Sequence, residues 1–401
     1  MTIKTAVVIA GAVARGAYEA GALREVLSKL LTEEDLRHTL FIGTSAGAIN
    51  AVLWAGLANG KRSVREIGDA VCKVWEGLRD TDVFAPLSSA TRATSMLFTG
   101  RGKHFLDTSP LAATVSQKFA ELSIKDNIEH GHVSGVAIAA TFCGATAAGA
   151  RSDIFYQAKA KPRRPRAFTA LRYLPAQIEP AHVLASSAVP GLFAPIAIAG
   201  AFYVDGGVRL NTPITPAIDF RAERIILVSS HATFYPKPLP LPHAPNPDDS
   251  VALLMHSLLA DKMIEDLARL RQINKLKADH PSVPFRSIEH VVVSPEPGLL
   301  AQQARTALNQ TYRLRPALLL PGNAYRAARY GLIETVVERL GSGTGADELL
   351  SYLLFDPTYF ASQIAQGEKD ATVAANRGWQ LTPSPTAAHP KSPELVVPAH
   401  S

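Results

Sequence analysis

Short apolar runs alternate with segments of helical period over the first 230 residues. Residues 5–10 are apolar and β-branched, which predicts a short buried strand. Lys4 followed by an apolar stretch also has the outline of a secretion signal. The run Ala6, Val7, Val8, Ile9 and the charges Arg15 and Glu19 favour a retained strand instead. After a turn at 11–16, Ala20, Leu23, Val26, Leu27 and Leu30 recur at helical spacing, with Glu19, Arg24, Glu25 and Lys29 elsewhere on the wheel. Residues 38–42 read as a second strand, 43–47 as a tight turn and 48–58 as a buried helix. Further helices are expected at 69–79, 110–122 and 181–187. Further strands are expected at 133–141, 152–157, 202–205 and 224–229. Strands alternating with helices imply an α/β fold, a mostly parallel central sheet flanked by helices.

Past residue 230 the composition shifts. Prolines at 236, 238, 240, 242, 245 and 247 predict an extended crossing. A helix follows from about 251 to 278, then a strand at 288–294 and helices at 324–340 and 345–353. The expected organisation is an α/β domain over 1–230, a mainly helical extension packed on it over 231–375, and a disordered tail over 376–401. Residues 88–102 have no period and read as a loop or flap. No internal repeat is visible.

Composition narrows the class. With 47% hydrophobic and 19% charged residues the 401-residue chain can bury a large core, and bulk disorder is excluded. Two cysteines, Cys72 and Cys143, exclude a disulfide scaffold and point to a reducing, cytoplasmic setting. No apolar run approaches the ~20 residues that span a bilayer. A net charge of +6 over this length is too dilute to argue for nucleic acid. The basic run Lys159, Lys161, Arg163, Arg164, Arg166 has two readings. It meets anionic headgroups peripherally at a membrane surface, or it is a solvated loop carrying Pro162 and Pro165.

The strongest local signal is Gly43-Thr44-Ser45-Ala46-Gly47, a G-x-S-x-G between a strand and a helix. That context is what a nucleophile elbow requires, with Oγ presented at the strand's carboxyl end. The bland reading is an ordinary Gly/Ser turn. A serine hydroxyl needs a base. Of the twelve histidines, His182, His231 and His290 have the nearest to useful context, and none stands at a clear strand end. Asp205 does, followed by Gly206 and Gly207, although Asp-Gly-Gly alone also makes a plain turn. The turn Gly11 to Gly16 matches neither a Walker loop nor a dinucleotide fingerprint, since Val13 stands where a second glycine would be needed. Its backbone N–H groups could still receive an anion. If its strand neighbours the one before Ser45, they would form an oxyanion hole. No cluster has metal-ligand spacing, so neither metal nor other cofactor is expected.

Together, Gly11–Gly16, Gly43–Gly47 and Asp205-Gly206-Gly207 resemble the three motifs of the patatin-like phospholipases, in the same order. Stretches at 42–51, 106–111, 185–195 and 203–213 are similar too, and the segment 353–359 resembles one near the end of bacterial members. The resemblance covers about residues 5–230. It implies a Ser-Asp dyad on an α/β sheet without histidine or metal. Ser45 would be the nucleophile and Asp205 the base. Gly11, Ala12 and Val13 would be oxyanion donors, Arg15 would support the loop electrostatically, and Gly16, Gly43, Gly47, Gly206 and Gly207 would shape the motifs. The implied reaction is hydrolysis of a lipid acyl ester through an acyl-enzyme, with the lipid as the partner. Ala12 and Val13 depart from the family's glycine-rich loop, and a branched Cβ resists positive φ. Two other readings remain. One is a lipid-binding scaffold of low or no activity. The other is a Ser-His-Asp esterase of the α/β-hydrolase type, against which Ser45 stands after only one earlier β-α unit.

Overall fold

The computed structural model describes residues 3–84, 107–163, 170–234, 247–312 and 344–381. The strands are β1 Thr5–Ile9, β2 Thr39–Thr44, β3 Gly135–Phe142, β4 Arg151–Ala158, β5 Leu171–Pro175, β6 Ile196–Ile198, β7 Ala201–Asp205, β8 Arg224–Val228 and β9 Glu289–Val293. The longer helices are α1 Gly16–Leu30, α2 Ala46–Leu57, α3 Val64–Gly77, α4 Ser109–Ala120, α5 Pro180–Ser186, α6 Pro247–His256, α7 Lys262–Asp279, α8 Leu299–Tyr312, α9 Thr344–Leu353 and α10 Pro357–Arg377.

One sheet organises the chain, in the order β5-β4-β3-β2-β1-β8-β9. The core β3-β2-β1-β8-β9 is parallel. β4 runs against β3, and the hairpin β6–β7 joins at the end of β3. Side chains alternate between faces, as a two-sided sheet demands. Val7, Ile9 and Phe41 join the cluster under α1, α2 and α3. Ala6, Val8, Leu40 and Ile42 join Met263, Leu267 and Leu270 of α7 on the other side. The expected mostly parallel sheet with helices on both faces is thus present.

Several boundaries differ from the sequence expectation for local reasons. The helix expected from residue 69 begins at Val64, because Ser63 and Glu66 form a capping box. α2 begins at Ala46, directly after the turn, and not at 48. Glu19, placed on the polar side of its helix, is wholly buried. α1 has α3 on one side and α10 on another, so it has little solvent face. β5, α8 and α10 have no counterpart among the elements expected from the sequence. α10 ends at Arg377, and Gln380 then bridges His290 beside β9. The flap reading of 88–102, the helix expected at 324–340, most of the proline-rich crossing and residues 382–401 lie outside the described residues.

Candidate active site

Strand order creates the site. β1 and β2 are parallel neighbours, so the turn after β1 and the turn after β2 emerge side by side at the same edge. This is where open α/β sheets place their ligands. β3 pairs with β2 as far as Thr44↔Ala139, and with β7 from Ala140↔Asp205 onward. Its other edge is taken by β4 along its whole length. β7 therefore enters the lane that β2 vacates, and Asp205 arrives opposite Ser45. A Cβ on Gly206 would stand 2.3 Å from the Ala139 carbonyl oxygen, which explains the glycine.

Ser45 Oγ donates to Asp205 Oδ2 at 2.7 Å, and Gly207 N–H donates to Oδ1 at 2.6 Å. Both side chains are buried. Burial pushes the Asp205 carboxyl up to about 6, against the pull of the Ser45 and Gly207 hydrogen bonds. Ser45 has φ 54° and ψ −125°, the strained backbone of an elbow. The elbow closes because Gly43 and Gly47 have no side chain. A Cβ on Gly43 would lie 2.1 Å from the Gly47 carbonyl oxygen, and one on Gly47 would lie 2.3 Å from that of Ala10. Ser45 N–H donates to Ser186 Oγ at 2.8 Å, and the Ser186 hydroxyl in turn donates to the Ala139 carbonyl oxygen at 2.6 Å.

The turn after β1 lies against the serine. An added Cβ on Gly11 would be 3.3 Å from Ser45 Cβ. Gly11 differs from the expectation in one respect. Its N–H is donated to the Asn211 carbonyl at 3.0 Å, so it is not available to an oxyanion. Among the described residues no acceptor meets the N–H of Ala12 or Val13. Val13 adopts φ 50°, the left-handed region that a branched Cβ resists. Gly16 opens α1 with Trp75 and Ala46 packed over it. Ser45 faces an apolar pocket lined by Val13, Ile49, Trp75, Leu111, Phe193 and Phe355.

Arg15 points away from this pocket. Its guanidinium is buried, paired with Glu348 at 2.7 Å, bonded to Ser351 Oγ at 3.0 Å and stacked over Tyr352 at 4.1 Å. It ties the turn to α9. Gln363 of α10 adds a second tie, accepting from Tyr18 N–H and donating to the Ala14 carbonyl. The three histidines stand elsewhere. His182 Nδ1 accepts from Glu179 N–H, His231 Nε2 meets Tyr352 OH at 2.9 Å, and His290 is buried in β9. Among the described residues no group of three or more His, Cys, Asp or Glu could hold a metal, and no helix is long and apolar enough to cross a membrane. Glu348 and Gln363 carried no signal in the sequence, since each acts through a contact more than 300 positions away. Ser186 and Asn211 fall in the similar stretches 185–195 and 203–213, without any local spacing that gives their partners.

The structure thus places a serine on a strand-to-helix elbow, facing a buried aspartate at the carboxyl edge of a mostly parallel sheet. The model of the family described as patatin-like phospholipase matches residues 7–218, more than half of the chain, so the chain belongs to that family. Lipid hydrolysis is the chemistry that comes with it. Two of the solved structures similar to the chain are these. One is VipD from Legionella pneumophila, at 12% identity and a TM-score of 0.32, covering 88% of this chain and 67% of VipD. The other is human GIVD cytosolic phospholipase A2 in complex with methyl γ-linolenyl fluorophosphonate, at 14% identity and a TM-score of 0.31. That match covers 92% of this chain and 59% of the human protein. No curated protein matches the chain.

Proposed function

We propose that the protein hydrolyses lipid acyl esters with Ser45 as nucleophile and Asp205 as the base. The observation that carries this reading is the 2.7 Å hydrogen bond from Ser45 Oγ to a carboxylate whose proton affinity burial has raised. Ser45 Oγ attacks the ester carbonyl as its proton passes to Asp205 Oδ2. The oxyanion is received by the N–H groups of Ala12 and Val13 and by the first N–H groups of α2, whose dipole points the same way. Collapse of the tetrahedral intermediate expels the alcohol, protonated by Asp205. Water then attacks the acyl-enzyme, giving its proton to Asp205, and collapse of the second tetrahedral intermediate returns that proton to Ser45 Oγ as the acid is released. A base with a pKa near 6 is half ionised at that pH and still basic enough to take the proton.

The test is turnover of a chromogenic ester panel and of phospholipid vesicles. Ser45→Ala and Asp205→Asn should each lower kcat by several orders of magnitude with circular dichroism unchanged. Because Asp205 works as the anion, kcat/KM of the wild type should climb about tenfold per pH unit below 6 and level off above it. Full turnover in either variant, or a rate that falls as pH rises through 6, would sink the dyad.

A further inference from the structure

A second apolar cleft begins where the Ser45 pocket ends. Ile49, Trp75, Leu78 and Leu111 line both. Beyond them the cleft runs between three helices. Ile49, Val52 and Leu53 supply one face of α2 at i, i+3 and i+4, and Val115 and Phe119 of α4 stand opposite. Leu122 lies at its far end, against Gly56 in the last turn of α2.

The few polar groups in this wall are turned to other partners. Thr114 Oγ1 donates to the Asp82 carbonyl at 2.8 Å, and Trp75 Nε1 donates to Asn50 Oδ1 at 2.8 Å. Lys118 reaches Glu121 at 3.2 Å on the exposed side of α4. A headgroup entering here would find no hydrogen-bond partner, and its desolvation would go uncompensated. A hydrocarbon chain meets no such penalty.

Resting on the reading of Ser45 as an acyl-ester nucleophile, the geometry points to this cleft as the seat of a single medium-length fatty acyl chain. The carbonyl would stand at Ser45 and the tail would pass Ile49 and Leu111 toward Val115. From Ala46 to Leu53 the helix advances about 10 Å at its usual rise. An extended chain gains roughly 1.2 Å per bond, so this length takes roughly eight carbons. Each methylene desolvated there is worth about fourfold in kcat/KM. The chain-length profile should therefore rise steeply from butyrate to about octanoate or decanoate and then flatten.

The experiment measures kcat/KM for p-nitrophenyl esters from butyrate to palmitate in the wild type, Val115→Phe and Phe119→Ala, with melting curves for each. Val115→Phe fills the cleft and should lower the decanoate-to-butyrate ratio about tenfold or more, two or more methylenes' worth. Phe119→Ala opens it and should move the optimum to longer chains. Two folded variants whose ratios stay within about twofold of wild type would overturn the assignment, since a lost methylene contact alone exceeds that. A folded wild type that turns over none of these esters would overturn the hydrolase reading itself, and this assignment with it.

Discussion

At the residue scale, two side chains in the site hold backbone angles that glycine would hold more cheaply. Ser45 at φ 54° is the elbow, where the reactive oxygen must be lifted off the turn. Val13 at φ 50° has no such excuse. From sequence, a branched side chain there leaves open whether the hole is narrowed or rotated. The structure keeps the left-handed turn and bears the strain, about 1–2 kcal/mol. Val13→Gly therefore removes native strain, while glycine adds about 0.5–1 kcal/mol of chain entropy to the unfolded state. The two nearly cancel, so the melting temperature should hold or rise slightly. The N–H of residue 13 survives the change, so kcat should stay within about threefold. The side chain that lines the Ser45 pocket is lost, so KM for short esters should increase. Melting curves and steady-state kinetics check this, and a tenfold drop in kcat would show that the valine side chain shapes the hole. The residues legible in the sequence were those whose roles are local: Ser45 between its glycines, Asp205 before Gly206. Ser186 accepts from the Ser45 N–H and Asn211 brackets the Gly11 backbone, each from far along the chain, and no local spacing gives those partners.

At the element scale, the turn after β1 is fixed by a helix more than 300 residues later. Arg15 has its guanidinium inside the protein, with Glu348, Ser351 and Tyr352 of α9 around it. Removing one partner of a buried pair leaves an uncompensated charge, at a cost of about 3–5 kcal/mol at the extreme. Glu348 is partly exposed, so the lower end applies. Glu348→Ala should lower the melting temperature and, by releasing the turn that carries Ala12 and Val13, lower kcat more than it raises KM. Adding Arg15→Met removes the stranded charge and keeps most of the volume. The double variant should regain stability without regaining kcat. Equal recovery of both would mean that Arg15 serves the fold alone. The sequence read Arg15 as support for the loop, and its direction is the part that differs. Helices with a broad apolar stripe, such as α1, were legible, whereas the capping box that starts α3 at Val64 went unread. α10 was not legible, because it packs on α1 through small residues. Gly367 meets the Tyr18 carbonyl oxygen, where a Cβ would come within 2.1 Å, and Gly21 meets that of Ile364. Close backbone packing of this kind thins the buried stripe to Tyr359, Phe360 and Ile364 followed by glycine and alanines, which is a weak hydrophobic period to read.

At the scale of the whole molecule, the family match ends at residue 218, yet the sheet and its covering layers do not. β9 pairs along the full length of β8. Met263, Leu267 and Leu270 of α7 cover the face made by Ala6, Val8, Leu40 and Ile42. α10 covers α1, and Phe355, between α9 and α10, lines the Ser45 pocket. Cutting at 230 would strip one face of the central strands and leave the β8 edge open, which is a template for aggregation. It would also leave Arg15 buried in part with no anion. A chain of residues 1–230 should therefore be insoluble or lack a cooperative melt, and should show no ester turnover, whereas the 401-residue chain should melt cooperatively and turn over esters. The comparison needs near-ultraviolet circular dichroism and thermal melts on the two chains purified in parallel. A soluble 1–230 chain with a cooperative transition would mean that the α/β part is a separate folding unit, as the composition shift past residue 230 suggests. In that case α9 and α10 would act only on the turn at 11–16. Ester turnover would then return when residues 231–401 are added as a second polypeptide.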